Sequence, residues 1–414
     1  MRICGIVAEY NPFHSGHSWH IAETRRRVGE GCAIVCCMSG NWVQRGEPAL
    51  LPKHQRARAA LLGGADLVLE LPTPYALLSA EGFAESAIAI LLGLGVVTDL
   101  SFGAETDDIE ALTAVAHILL EHRTVQNTLA QLKTGISYAA ARERALFAAI
   151  EAQAELIRRP NNILAVEYLK ALIQSGSSVT AHAIPRLGAG HDSMDVSGGT
   201  ASASHIRASL RAGAAVRDVA PWMPENSAAI LLHTLENGTA LVDWDRLETV
   251  MLSVLWRLTP EDLAQLGDIA EGLEHRLHAA IREGRDLQDI VRAARTRRYP
   301  EARIRRLLLR AFLGITASET ELPPPYARVL GMSARGRQVL RAASKETSLP
   351  ILTKPAHVRQ LSPRALRLFN QESVRTDLWH LSLPAWREIP RGSEWRTPCA
   401  FENTENPEFL GDFT

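Results

Sequence analysis

The sequence predicts an α/β fold built on a parallel sheet, followed by a mainly helical region. Three observations carry this. Four apolar runs lie within the first 105 residues, and each is continuous rather than alternating, as expected of strands buried on both faces. Segments with helical spacing separate these runs. Beyond about residue 225 the texture changes to helical spacing with little strand signal.

The runs are "RICGIVAE" (2–9), "CAIVCCMSG" (32–40), "ADLVLELP" (65–72) and "TDLSFGAE" (98–105). Helices are expected at about 17–29, 53–63 and 79–93, then at 107–122, 138–157 and 162–174. "SSVTAHAIPR" (177–186) reads as a late strand, "LGAGHDSMDVSGGT" (187–200) as a glycine-rich loop, and a helix starts near Ser204. Composition divides the chain at 1–215, 216–384 and a tail, 385–414, rich in Pro, Glu and aromatics.

Bulk properties narrow the function. With 414 residues, 46% hydrophobic and 22% charged, the chain is long enough for a substantial core. Its net charge of -1 supplies no global attraction to nucleic acid. The opening "MRICGIVAEYN" reads as a strand rather than a signal peptide, and no apolar stretch has the length of a membrane span. Four of the five cysteines sit in apolar runs without zinc-ligand spacing, so no metal site is expected from them. A cytoplasmic protein with buried thiols is the expectation.

The stretch "EYNPFHSGH" (9–17) follows the first strand and opens the first helix. In a parallel sheet the ligand crevice lies at the carboxyl ends of the strands. A helix N-terminus there presents N–H groups to an anion. Gly16 allows close backbone approach, and imidazoles at His14 and His17 can donate hydrogen bonds to phosphate oxygens. An ordinary turn could hold the same residues; their position after strand 1 favours phosphate binding. Downstream, "SASHIR" places Ser202, Ser204 and Arg207 at a helix start, with Ser204 as the expected N-cap and Arg207 able to reach leaving phosphates.

HxGH after the first strand, followed about one domain later by "SASHIR", resembles the signatures of nucleotidylyltransferases and class I aminoacyl-tRNA synthetases. More of the chain is similar to one family within that superfamily. "GIVAEYNPFHSGH", "MSGNWVQRGEPA", "GADLVLELP", "SAEGFA", "SFGAE", "RPNNILAVEYLKAL", "IPRLGAGHDS" and "SASHIR" occur in the order of the tRNA(Met) cytidine acetate ligase family. The resemblance runs from about residue 1 to 355. It implies a Rossmann-like nucleotidylyltransferase domain that acts on ATP and acetate to make acetyl-adenylate. The acetyl group then passes to the exocyclic amine of the wobble cytidine of elongator tRNA(Met), giving N4-acetylcytidine.

The resemblance also implies site residues. His14, His17 and Arg207 would serve the phosphate chemistry. ATP would contact Val7, Ala8, Glu9, Tyr10, Asn11, Pro12, Phe13, His14, Ser15, Gly16, His17, Ser18, Trp19 and His20, with Gly103, Asn162, Arg186, Ser202 and Ser204. Asn161 adjoins Asn162 as its alternate. Magnesium would accompany the triphosphate. Gln44, Arg45 and Glu47 are expected to face the same crevice, to hold acetate, to hold RNA or to tie the loop down. No obligate protein partner is implied.

Between Arg285 and Arg310 stand nine arginines and three acids, with Tyr299 in the middle. A cationic surface with an aromatic binds RNA backbone and stacks a base, so Arg297, Arg298, Tyr299, Arg305 and Arg306 are expected to contact tRNA. A solvated helix face is the competing reading. Two other functions remain open from the residues alone. One is an adenylyltransferase acting on a small phosphorylated metabolite; the other is a non-catalytic RNA-binding protein.

Overall fold

A computed structural model describes residues 1–150, 154–185, 201–269 and 272–401. Its centre is a parallel sheet assembled from the predicted runs: β1 (Ile3–Ala8), β2 (Ala33–Ser39), β3 (Leu67–Leu71), β4 (Asp99–Ala104) and β5 (Thr180–Pro185). β1 lies between β2 and β4 in the sheet, β3 extends it beyond β2, and β5 beyond β4. The register is regular, with Ile3 opposite Ala33 and Cys4 opposite Asp99. All seven residues of β2 are buried, because helices cover both faces of the sheet.

The connecting helices are α1 (Ser15–Val28), α2 (Lys53–Leu62), α3 (Ala80–Gly93), α4 (Ile109–Leu120), α5 (His122–Leu132), α6 (Tyr138–Phe147) and α7 (Pro160–Gln174). One face of the sheet packs Val35, Leu67 and Leu69 against Phe83, Ala87 and Leu91 of α3. The other packs Ile6, Ile34, Cys36 and Val68 against Ile21 of α1 and Ala57, Ala60 and Leu61 of α2. The buried thiols follow the same logic: burial pushes that of Cys36 up to about 12. The helix expected over 138–157 is shorter, and α5 was not anticipated as a separate helix.

α8 (Ala203–Arg211) leads into the helical part: α9 (Glu225–Glu236), α10 (Trp244–Leu255), α11 (Leu273–Glu283), α12 (Leu287–Ala294) and α13 (Glu301–Phe312). Leu247, Leu277, Ile281, Ile290, Ile304 and Leu308 form its apolar centre. The strand-poor texture expected after 225 does not persist to 384. β6 (Ala327–Met332) returns to the first sheet and pairs antiparallel with β3. α14 (Ala334–Glu346), β7 (Ile351–Leu352), α15 (Pro363–His380) and β8 (Ala400–Phe401) follow, and β7 and β8 each pair parallel with β6. "YARVLGM" is apolar enough to fill this place: all six residues of β6 are buried.

The tail is anchored beside that return. Glu394 is buried with Lys53 of α2, Glu70 of β3 and Arg328 of β6. Lys53 Nζ lies 2.5 Å from Glu70 and 2.8 Å from Glu394. Arg328 pairs with both carboxylates, and Thr376 donates its hydroxyl to Glu394 at 2.7 Å. Two cations thus balance two carboxylates in the interior, the condition under which buried charge is tolerated. No helix among the described residues is long and apolar enough to cross a membrane.

Candidate active site

A cleft of about 340 Å³ opens at the carboxyl ends of β1 and β4. This is where the chain order of the sheet turns from one side of β1 to the other, the usual ligand position in open α/β sheets. Val7, Ala8, Glu9, Tyr10, Asn11, His14, Gly16, His17, Trp19 and His20 line it, joined by Gln44, Arg45, Gly103, Asn161, Ser202, Ser204 and Arg207. Pro12, Phe13, Ser15 and Ser18 of the predicted segment are not among its lining residues. Phe13 is instead fully buried beneath the turn, its ring edge-on to Tyr10 at 4.9 Å.

The two histidines are organised by the helix they begin. His14 is the N-cap of α1, and its Nδ1 accepts the Gly16 N–H at 3.1 Å. His17 Nδ1 accepts the His14 N–H at 3.2 Å, closing a reciprocal capping box in which imidazoles replace the usual hydroxyl and carboxylate. The rings stack with centroids 3.8 Å apart. With Nδ1 accepting in both, each neutral ring carries its proton on Nε2 and acts as a donor there. A Cβ at position 16 would meet His14 Cε1 at 2.9 Å, so glycine is what lets the ring lie over the turn. His20, one turn on, bonds through Nε2 to Ser101 Oγ at 2.9 Å, and Thr24 bonds the same hydroxyl at 2.7 Å.

Arg207 reaches the cleft from α8. Its Nη1 donates to the Asn11 carbonyl at 2.8 Å, and Glu47 lies 3.9 Å away. Its Nε has no hydrogen-bond partner among the described residues. Burial pushes the guanidinium below its ordinary value, leaving it a cation that an anionic ligand would compensate. The expected cap at Ser204 is corrected: Ser202 caps α8 by accepting the His205 N–H at 3.1 Å, because the helix begins at Ala203.

Gly103 lines the cleft at the end of β4, as expected. Asn162 does not. It is buried and accepts the Glu105 N–H at 2.9 Å, while Glu105 takes the backbone N–H groups of Asn161 and Asn162 at 3.2 and 2.8 Å. Glu105 therefore ties the end of β4 to the start of α7, and Asn161, the alternate, borders the cleft. Arg186 and the glycine-rich loop at 187–200 lie outside the described residues.

Sequence reasoning missed how Glu9 and the "MSGNWVQRGEPA" segment are used. Glu9 follows β1 and accepts the Gln44 N–H at 2.7 Å; burial pushes its carboxyl above the usual range. Arg56 of α2, fully buried, donates to the carbonyls of Glu9 at 2.6 Å, Leu51 at 3.1 Å and Gly40. It pins the ends of β1 and β2 together. Trp42–Val43 and Glu47–Pro48 form a two-stranded antiparallel ladder that carries Gln44 and Arg45 into the cleft. Trp42 is fully buried among the helical-region side chains. It meets Phe312 edge-on at 6.1 Å and donates its indole N–H to the Arg375 carbonyl at 3.1 Å. Gly46 turns the ladder with φ of 77°, and a Cβ there would lie 2.8 Å from the Arg306 nitrogen. The arginine-bearing α13 thus abuts the loop that lines the cleft.

Within the arginine stretch Arg297 is exposed, and Arg298, Arg305 and Arg306 are partly so. Arg305 pairs with Glu301 at 2.7 Å. Tyr299 corrects the base-stacking expectation: only 8% exposed, it packs in the helical core, with the Arg298 and Arg303 guanidinium groups 5.9 and 5.2 Å from its ring centre.

The sequence matches the HIGH Nucleotidyl Transferase family over residues 1–388. It is 35% identical over 404 residues to the tRNA(Met) cytidine acetate ligase of Acetivibrio thermocellus, covering 94% of this chain and 97% of the relative. It is 37% identical over 369 residues to that of Clostridium kluyveri, covering 86% and 90%. The fold is similar to Thermotoga maritima TmcAL in its apo form, with a TM-score of 0.91, 31% identity and coverage of 97% and 99%. It is similar to the same protein bound with alpha-thio ATP, with a TM-score of 0.90, 30% identity and the same coverage. Sequence, fold and cleft agree: the chain belongs to the HIGH nucleotidyl transferases and, among them, to the tRNA(Met) cytidine acetate ligases.

Proposed function

We propose that this protein activates acetate with ATP and transfers the acetyl group to the exocyclic amine of the wobble cytidine of elongator tRNA(Met). The observation that carries the reading is the convergence of two imidazole Nε2–H donors and the Arg207 guanidinium on one cleft at a helix N-terminus. The similarity to ligases of tRNA(Met) cytidine supports a cytidine of that tRNA as the acceptor. An acetate oxygen attacks the α-phosphate, and pyrophosphate leaves. His14 and His17 donate to the phosphoryl oxygens as charge builds, and Arg207 stabilises the departing pyrophosphate. The amine then attacks the activated carbonyl and AMP leaves. Positioning and charge stabilisation suffice, with no covalent protein nucleophile.

Magnesium enters with the nucleotide as part of the substrate. Among the described residues no group of three or more His, Cys, Asp or Glu could cage a metal, and the cleft's carboxylate is Glu9. The ion would keep triphosphate oxygens and water as its ligands. In this reading residues 1–215 hold ATP and acetate, and 216–384 supply the tRNA surface through Arg297, Arg298, Arg305 and Arg306. Asn162 and Tyr299 act as supports, and Arg186 remains a nucleotide contact. The protein works in the cytoplasm without an obligate protein partner.

The test is to incubate the protein with ATP, labelled acetate and total tRNA, and to identify the acetylated nucleoside by mass spectrometry. N4-acetylcytidine at the tRNA(Met) wobble position is the expected product. Pyrophosphate exchange that depends on a phosphorylated metabolite instead of acetate would overturn the reading in favour of an adenylyltransferase.

A further inference from the structure

The transfer step needs a base. The exocyclic amine of cytidine is a weak nucleophile, its lone pair delocalised into the ring. As its nitrogen bonds to the acetyl carbon it must shed a proton. The cleft's imidazoles are poorly placed to take one. His14 and His17 each spend Nδ1 accepting a backbone N–H, so in the neutral ring Nε2 already bears a proton. His20 spends Nε2 on Ser101. Arg45 and Arg207 are cations, and the Tyr10 hydroxyl is buried against Cys36 Sγ at 3.3 Å. Among the described residues that line the cleft, one carboxylate remains, that of Glu9.

We propose that Glu9 receives the exocyclic amine of the acceptor nucleotide and acts as general base in acetyl transfer. The assignment rests on the acetate-ligase reading and specifies how that site selects and uses its acceptor. A carboxylate accepting from the cytosine amine is the complementary pairing for that base edge, so one group both recognises and deprotonates. The Gln44 N–H, 2.7 Å from Glu9 Oε1, fixes the carboxyl orientation and ties it to the loop bearing Arg45. In the step the N4–carbonyl carbon bond forms and one amine proton passes to Glu9. The bond between the acetyl carbon and the adenylate oxygen breaks, its electron pair leaves with AMP, and the proton goes to solvent on product release.

The surroundings set the pH behaviour. Arg207 from α8, Arg45 from the ladder and Arg56 from α2 face Glu9 and favour the carboxylate. Tyr168 of α7 lies close enough for its own ionisation to be opposed by Glu9. Burial outweighs the three cations and holds the carboxyl above its ordinary value. A base must be ionised, so transfer rises with pH through this raised value and then levels.

The experiment follows single-turnover transfer from enzyme preloaded with ATP and labelled acetate to transcribed tRNA(Met), across a pH series, for wild type, Glu9→Gln and Glu9→Asp. Acetate-dependent pyrophosphate exchange without tRNA is measured alongside. The glutamine amide oxygen can still accept the Gln44 N–H, so the fold is retained. The expected result is transfer slowed on the order of 10²-fold or more in Glu9→Gln, with loss of the acid limb. Exchange should fall far less, and Glu9→Asp should keep a limb at reduced rate. An unchanged limb in Glu9→Gln, or equal losses in exchange and transfer, would overturn the assignment alone. Wild-type protein lacking acetate-dependent exchange would overturn the functional reading and this assignment with it.

Discussion

His14 and His17 stack with their ring centres 3.8 Å apart, and each imidazole accepts a backbone N–H of the turn that the other helps to build. The pair is therefore a helix cap and a double donor at once. This dual use allows the two roles to be separated. His17→Ala should lower acetate-dependent pyrophosphate exchange by a factor of about 10²–10³, the cost of about 2.7–4 kcal/mol when one such donor is removed. His14→Ala should lose rate and also about 1 kcal/mol of stability through the cap. His14→Asn should restore stability in denaturant titrations without restoring rate. Wild-type exchange in His17→Ala would remove the pair from the chemistry.

Arg207 donates to the Asn11 carbonyl and so touches the same turn. Replacement by lysine keeps the charge and loses the planar fork. Arg207→Lys is expected to slow adenylate formation measured without tRNA, and Arg207→Ala to slow it further. A defect confined to the later transfer to tRNA would move this residue to the RNA site.

Replacing Arg297, Arg298, Arg305 and Arg306 together by glutamine should weaken tRNA binding and flatten its salt dependence. Each RNA phosphate that an arginine no longer neutralises lowers the logarithmic slope by about 0.7–0.9. Tyr299→Phe should leave base recognition unchanged, because the ring is buried. Equal affinities and equal slopes over a salt series, with folding checked by circular dichroism, would remove this face from the RNA site.

Trp42 couples the cleft loop to the helical region. Trp42→Ala should cost about 3–5 kcal/mol, as large buried aromatics do on truncation. If Gln44 and Arg45 contact substrate, it should also raise the KM for acetate or tRNA more than it lowers exchange per bound nucleotide. Urea titration and steady-state kinetics check both halves.

Lys53 separates Glu70 from Glu394 in the interior. Lys53→Met should destabilise by about 3–5 kcal/mol, because two carboxylates are left with Arg328 alone. Burial by itself would raise the Glu394 carboxyl, but Arg328 and Lys53 overcome it and hold the group well below its ordinary range. A depressed folded-state value contributes stability that is full above the unfolded value, about 4.3, and fades as pH falls through the folded value. Acid titration should show that loss in wild type and a smaller one in Glu394→Gln.

What the sequence determined by itself was local. The four unbroken apolar runs of the first 105 residues read as strands covered on both faces, and β1 to β4 fall within them. HxGH after strand 1 located the crevice, because a helix N-terminus at a strand's carboxyl end is set by two adjacent elements. Tertiary structure decided what depends on distant partners. β6 was missed because a six-residue strand beside long helices has no periodicity of its own; it is defined by pairing with β3, far back in the chain. Asn162 and Asn161 adjoin in sequence, and it is the backbone N–H of Glu105, more than fifty residues away, that takes up the Asn162 side chain while Asn161 borders the cleft. Tyr299 reads as a surface aromatic among arginines until the helical core closes over it. Glu9 gains its raised carboxyl from burial, which outweighs Arg56 and Arg207 from two other elements, and its fixed orientation from the Gln44 N–H. Burial and long-range hydrogen bonding are properties of assembled elements, and no single segment carries them.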